Sequence, residues 1–281
     1  MLRIVTDGSV DLPSEWYKEY DIHRIPVNIQ FGEKTYIQDV ELNLDGFYKM
    51  VDEGKMPHPK TSQPSPHQFV EFYKKIAQEG DTILSIHITS KLSGTYASAV
   101  AAAEEVKGLF HVVTVDTLGG SMGTGFMCRA ARQMAYAGKS VDEIVRYIES
   151  IRSKVLIILT LDTLEYARRS GRVGTLSAAL ASLLNVKPIA LLKDGVVEMV
   201  DKVRTRKAAL ERVLDMAKNA YGDQPVYLAV VHARDLASGQ ALLEEAKKRL
   251  NTKEVFLTDL SLSLSVNFGP GTVGLVLYPV E

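Results

Sequence analysis

Thr82-Ile83-Leu84-Ser85-Ile86-His87-Ile88-Thr89, with Ser93-Gly94-Thr95-Tyr96 shortly after it, is the stretch whose reading decides the fold. The first part is rich in β-branched residues and alternates in polarity, so it reads as a strand. From Ser93-Gly94-Thr95 the pattern turns helical, with Tyr96, Ala99, Val100 and Ala103 predicted on one face. Ser93 therefore sits where a strand ends and a helix begins. His111 to Val115 reads as another strand, and a helical stretch follows it as well. Strand followed by helix, repeated with right-handed crossovers, predicts a mainly parallel sheet.

The same reading extends towards the N-terminus. Leu2 to Thr6 is a strand broken by Asp7-Gly8-Ser9, and Leu12-Pro13-Ser14 leads into a helix with Trp16, Tyr17 and Tyr20. Ile25 to Phe31 alternates with period two, and Gly32-Glu33-Lys34 turns it back into Thr35-Tyr36-Ile37. Ser65-Pro66-His67-Gln68 is a capping box with proline at the first helical position, and Phe69, Phe72, Tyr73 and Ile76 form the apolar face behind it.

The style changes near residue 155. Val155 to Leu161 is an apolar strand, and the helix after it ends at Ser170-Gly171. Ile189 to Lys193 and Val196 to Val200 form a hairpin about the two-residue turn Asp194-Gly195. Helices over 206–219 and 236–249 alternate with strands over 226–231 and 254–258, and Val273 to Tyr278 is the last strand. The expectation is an α/β protein of two domains. Residues 1–154 form a mainly parallel sheet flanked by helices and carry Thr61 and Ser93; residues 155–281 form an α/β domain with a mixed or antiparallel sheet.

Composition narrows the function. The 281 residues are 46% apolar and carry a net charge of -1, without a lysine or arginine run, which argues against a nucleic-acid partner or a polybasic membrane surface. The one cysteine, Cys128, excludes an internal disulfide and reads as a buried small hydrophobe on a helix. Asp7 interrupts any N-terminal apolar region, and no run approaches the roughly 18 apolar residues a spanning helix needs. A soluble cytoplasmic protein is expected, so any lipid it handles must be carried inside it. The six histidines are dispersed and no metal site is expected; His87 and His232 read as core or rim residues.

Two places can bind an anion. Lys55 to Pro66 holds four of the ten prolines, which makes a stiff loop around Thr61. Stiffness holds a side chain ready before a ligand arrives. At Ser93-Gly94 a hydroxyl, a bare glycine and the free N–H groups of a helix start converge, which suits a carboxylate or phosphate. On local sequence alone, Ser93 as a plain helix cap and Thr61 as a turn hydroxyl are the favoured readings. The cluster Gly119-Gly120-Ser121-Met122-Gly123-Thr124-Gly125 does not match the dinucleotide fingerprint and reads as a tight strand-to-helix turn. Phe268-Gly269-Pro270-Gly271-Thr272 is a rigid turn, and Arg168, Arg169 and Arg172 flank Gly171 as dipole complements or as a phosphate or acidic-partner contact.

Thr61-Ser62-Gln63-Pro64-Ser65-Pro66, Ser90-Lys91-Leu92-Ser93-Gly94-Thr95-Tyr96, Val115-Asp116-Thr117, Gly171-Arg172-Val173 and Gly269-Pro270-Gly271-Thr272-Val273-Gly274 occur in this order. The set resembles the DegV family of bacterial fatty-acid-binding proteins over nearly the whole chain. The resemblance implies a two-domain α/β protein that encloses one long-chain fatty acid such as palmitate, stearate or oleate, between or beneath its domains. It implies carboxylate binding by Thr61, Ser93 and the Gly94 amide, no cofactor and no catalytic residue. It further implies an acyl-presenting role beside an ATP-binding fatty acid kinase subunit that docks near Arg172, with transient membrane contact for lipid exchange. Two positions depart from the pattern. Asn267 stands where histidine is common; an amide can donate a hydrogen bond but cannot become cationic. Ser170 stands where a Gly-Gly-Arg stretch is usual. A lipid store or sensor without phosphorylation is the alternative. A hydrolase using Ser93 is disfavoured, because Leu92-Ser93-Gly94 lacks the leading glycine of a nucleophile elbow.

Overall fold

Strand β1 (Leu2–Asp7) is the hinge of the architecture in the computed structural model, which describes residues 1–54, 58–172 and 186–280. Of the stretches read above, Lys55-Met56-Pro57 and Val173 lie outside the described residues. After α1 (Ser14–Glu19), β2 (Ile22–Ile25) pairs in parallel with one edge of β1. On its other edge lies β6 (Thr82–His87), which pairs in parallel with β7 (His111–Asp116). The order β2-β1-β6-β7 makes a four-stranded parallel sheet.

Between β2 and β6 the chain builds a small antiparallel sheet. β3 (Asn28–Phe31) pairs with β4 (Lys34–Ile37) and with β5 (Lys60–Ser62). Helix α2 (Leu44–Asp52) packs on it, while α3 (Pro66–Ile76), with the full capping box of Ser65 and Gln68, packs on the parallel sheet and its helix partner. Helix α4 (Thr95–Glu105) follows β6, but its buried face is Thr95, Ser98, Ala99 and Ala102, while Val100 is exposed. The helix is rich in alanine, so periodicity marks its faces weakly. Small residues let its backbone close on the sheet instead.

Helix α5 (Ser121–Tyr136) is buried all round from Ser121 to Arg129, and α6 (Val141–Arg152) packs beside it. A helix without a polar face must be covered on both sides, and α5 lies between the parallel sheet and a six-stranded mixed sheet. A Cβ on Gly123 would come within 2.9 Å of the Ile157 and Val155 side chains, and one on Gly125 within 2.7 Å of Leu12. The glycine cluster thus serves close packing inside α5 as well as the turn before it. Cys128 is buried in this helix, and burial pushes its thiol up to about 12.

The mixed sheet runs in the order β10-β9-β8-β13-β11-β12. Its strands are β8 (Leu156–Thr160), β9 (Lys187–Lys193), β10 (Val196–Val203), β11 (Val226–His232), β12 (Thr252–Asp259) and β13 (Val273–Pro279). Only β11 and β12 pair in parallel. Helix α7 (Glu165–Ser170) follows β8, α8 (Arg206–Tyr221) and α9 (Leu236–Arg249) cover one face, and the short α10 (Leu262–Phe268) precedes β13. The Asp194-Gly195 turn has positive φ at both residues, as a type I′ hairpin requires. The turn also reaches the other sheet. Gly195 O accepts from Thr89 Oγ1 at 3.1 Å, and Asp194 O accepts from Lys91 Nζ at 2.7 Å. The hairpin tip thereby holds the β6–α4 loop that carries Ser93.

Candidate functional site

The order β2-β1-β6-β7 reverses direction between β1 and β6. A crevice opens at such a switch point, outside the carboxyl ends of the strands. A cavity is found there, lined by residues that include Asp7 and Ser9 after β1, Thr61 on β5, and Ile88, Leu92, Ser93 and Thr95 around the β6–α4 loop. Arg172 after α7 and Ser263, Leu264, Asn267 and Phe268 of α10 complete the wall. Four of the five residues singled out from sequence, Thr61, Ser93, Arg172 and Asn267, therefore share one cavity. The fifth, Gly94, is covered: the Gln63 amide lies 2.8 Å from where a Cβ on Gly94 would stand. Its φ of -74 makes no demand for glycine, and the Gln63 amide packs closely over its bare Cα.

Ser93 is not the cap of α4. The N-cap is Gly94, and no side chain caps the helix among the described residues. The Ser93 hydroxyl lies 2.8 Å from Thr95 Oγ1 and accepts from Thr95 N at 3.3 Å. One of these two hydroxyls donates to the other, so one O–H remains for a ligand. Thr95 is a site residue that the sequence reading did not single out; its place in the first turn of a helix starting at Ser93 was the available signal.

Thr61 is held by backbone pairing opposite Ile29 of β3. Its Oγ1 accepts from Asn267 Nδ2 at 3.3 Å, which leaves its own O–H to donate. The same Nδ2 donates to Ser263 O at 2.7 Å, one turn back in α10. Both amide protons of Asn267 are thus engaged with protein. Ser263 Oγ donates to Gly8 O at 2.9 Å and ties α10 to the loop after β1. Arg172 Nε donates to Leu92 O at 3.4 Å and Nη1 to Ser170 O at 2.5 Å, so its guanidinium ties the end of α7 to the β6–α4 loop.

Beneath the cavity lies a fully buried chain of polar groups. Asp7 accepts from Ser9 N at 3.0 Å, from the Ser9 hydroxyl and from Ile88 N at 3.1 Å. His87 Nδ1 lies 3.0 Å from Asp7 Oδ2, its Nε2 lies 2.6 Å from Ser85 Oγ, and Ser85 Oγ lies 2.8 Å from Tyr73 OH. Burial pushes the Asp7 carboxyl up, but hydrogen bonds from His87 and Ser9 outweigh it and hold the group below its ordinary value. The Asp-His pairing was not legible in the sequence, since β1 and β6 bring the two together. Its serine is Ser85, which is 0% exposed and cannot meet a substrate. Ser93 pairs with Thr95, and no imidazole hydrogen-bonds it among the described residues. Among the described residues no group of His, Cys, Asp or Glu could hold a metal ion, and no helix is long and apolar enough to cross a membrane.

The family model described as "Uncharacterised protein, DegV family" matches residues 1–280. The chain belongs to the DegV family. A DegV domain-containing protein of Listeria monocytogenes is 31% identical over 276 residues, covering 98% of this chain and 97% of that one. A DegV protein structure from Thermus thermophilus, described by its fatty acid binding, superposes with a TM-score of 0.92 at 32% identity, covering 99% of each chain. DegV of Bacillus subtilis, described as a fatty acid binding protein, superposes at 0.86 with 28% identity, again over 99% of each chain. A stearic-acid-binding protein of Eubacterium ventriosum superposes at 0.90 with 25% identity, covering 99% of this chain and 98% of that one. The DegV fold, with its parallel and mixed sheets flanked by helices, is therefore the fold of this chain.

Proposed function

We propose that this chain binds one long-chain fatty acid, such as palmitate, stearate or oleate, at the switch-point cavity. In this reading residues 1–154 and 155–281 are two domains with the lipid between or beneath them. Thr61 and Ser93 hold the carboxyl end, beside Asn267 and the Gly94 backbone. The observation that carries the reading is the shared cavity: Thr61 of β5 and Ser93 of the β6–α4 loop line it together with apolar Val27, Ile88, Leu92, Leu264 and Phe268. The fatty-acid-binding relatives of the same fold support it.

The energetics fit. Burying about 16 carbons at ~0.8 kcal/mol per CH₂ gives roughly 12 kcal/mol gross, of which lost ligand freedom removes a good part. The tail then dominates affinity. The head group needs only enough hydrogen bonds to avoid an unpaired buried polar atom. Native mass spectrometry and lipid extraction of purified protein test the reading. We expect a co-purifying fatty acid; no such lipid, with no binding of palmitate or oleate, sinks it.

We further propose that the held acid is presented to a separate ATP-binding kinase subunit that docks near Arg172, in the cytoplasm, with transient membrane contact for lipid exchange. Acyl-phosphate formation in the reconstituted pair is the measurement. The second reading is a carrier for storage or sensing without phosphorylation, and the engaged amide of Asn267 favours it. No turnover in wild type, restored by Asn267→His, would decide for storage.

A further inference from the structure

The Asn267 amide is oriented by its neighbours. Ser263 O can only accept, so Nδ2 must face it, and the same Nδ2 donates to Thr61 Oγ1. The other amide atom, Oδ1, is buried with no hydrogen-bond partner among the described residues. Asn267 is 9% exposed and lines the cavity. An orphaned buried acceptor on the wall of a site calls for a donor from the ligand.

A carboxylate has only acceptors to offer. Set against Oδ1 it would leave two acceptors face to face, both stripped of water. A carboxylic acid offers one O–H and one C=O. The wall offers the matching set: an acceptor at Asn267 Oδ1, and donors at the Thr61 hydroxyl and at the Ser93–Thr95 pair. We therefore propose that this site holds the fatty acid as the neutral carboxylic acid, with its O–H donated to Asn267 Oδ1. The inference rests on the fatty-acid reading and deepens it, because Asn267 then selects head groups that carry a proton.

The head group would meet charges of both signs. Asp7, from the end of β1, contributes a buried carboxylate to the same wall, with His87 of β6 behind it. Arg172 brings a cation to the opposite side of the balance; it donates to the carbonyls of Leu92 and Ser170, which fix its position but leave its charge. The elements packed on α10 are α7, β5 and, through Phe47 and Tyr48, α2, whose Asp45, Lys49 and Asp52 are also exposed. The charges of α7 and β5, Glu165, Arg168, Arg169 and Lys60, are exposed to solvent, and Arg169 pairs with Glu165 at 2.5 Å.

The test uses delipidated full-length protein loaded with palmitic acid labelled with ¹³C at the carboxyl. Its bound signal is followed by NMR from about pH 5 to about pH 9, across the range where a free carboxylic acid is ionised. The bound carboxyl should keep the shift of the protonated form through neutral pH. In Asn267→Leu, which removes the acceptor, it should move to the carboxylate position. Hexadecanol, which has an O–H and no charge, should compete with palmitic acid within about tenfold in Kd. A wild-type signal at the carboxylate position throughout, with hexadecanol weaker by more than about a hundredfold, overturns the inference and leaves fatty-acid binding intact. Absence of any bound signal overturns the fatty-acid reading itself.

Discussion

Replacing Thr61 by valine removes one oxygen and almost nothing else. Valine has nearly the shape of threonine and favours strands, so the pairing of β5 with β3 opposite Ile29 should persist. Two hydrogen bonds are lost. Asn267 Nδ2 loses the Thr61 acceptor it reaches at 3.3 Å, and the head group loses the Thr61 O–H. The first contact is long, so its loss should cost the unliganded protein about 0.5–1 kcal/mol at most. The second leaves a buried ligand oxygen without its donor, which costs about 1–3 kcal/mol, or roughly five- to 150-fold in Kd. Isothermal titration of delipidated protein with palmitate, run beside urea unfolding of the same samples, separates the two effects. A palmitate Kd within about twofold of wild type, in a variant of unchanged stability, would remove Thr61 from the head-group site.

Two other predictions follow from the same geometry. Ser93 and Thr95 share one outgoing O–H, so Ser93→Ala or Thr95→Val alone should weaken palmitate binding by about 1 kcal/mol. The double variant should lose more than the sum, and an additive double-mutant cycle would refute the sharing. Asp11 is fully buried, and burial raises its carboxyl to about 6 despite hydrogen bonds from Ser121 and Ser261. A folded-state value raised above the ordinary 3.8 contributes stability that is present below pH 4 and lost as pH rises through about 6. Wild type should therefore lose up to about 3 kcal/mol relative to Asp11→Asn between pH 4 and 7. Urea unfolding at a series of pH values measures this, and a pH-independent difference would contradict it.

Local signals in the chain were sufficient wherever the cause is local. The Ser65–Gln68 capping box, the Asp194-Gly195 turn and the strand–helix alternation around Thr82–Tyr96 each follow from neighbours a few residues away, and all three are present in the structure. The face of α4 was misread because alanines on all sides leave periodicity without contrast, and packing on the sheet selected Ala99 and Ala102 over Val100. Thr61 and Ser93 could be named as hydroxyls on a stiff loop and at a helix start. That they share a wall with Asn267 depends on three chain segments meeting at the β1–β6 switch point, which no local pattern encodes. The Asp7–His87 pair likewise exists only because β6 lies beside β1. Above all, the sequence showed an asparagine that can both donate and accept. Only the fold, by engaging both its N–H groups with Ser263 and Thr61, left the acceptor without a partner.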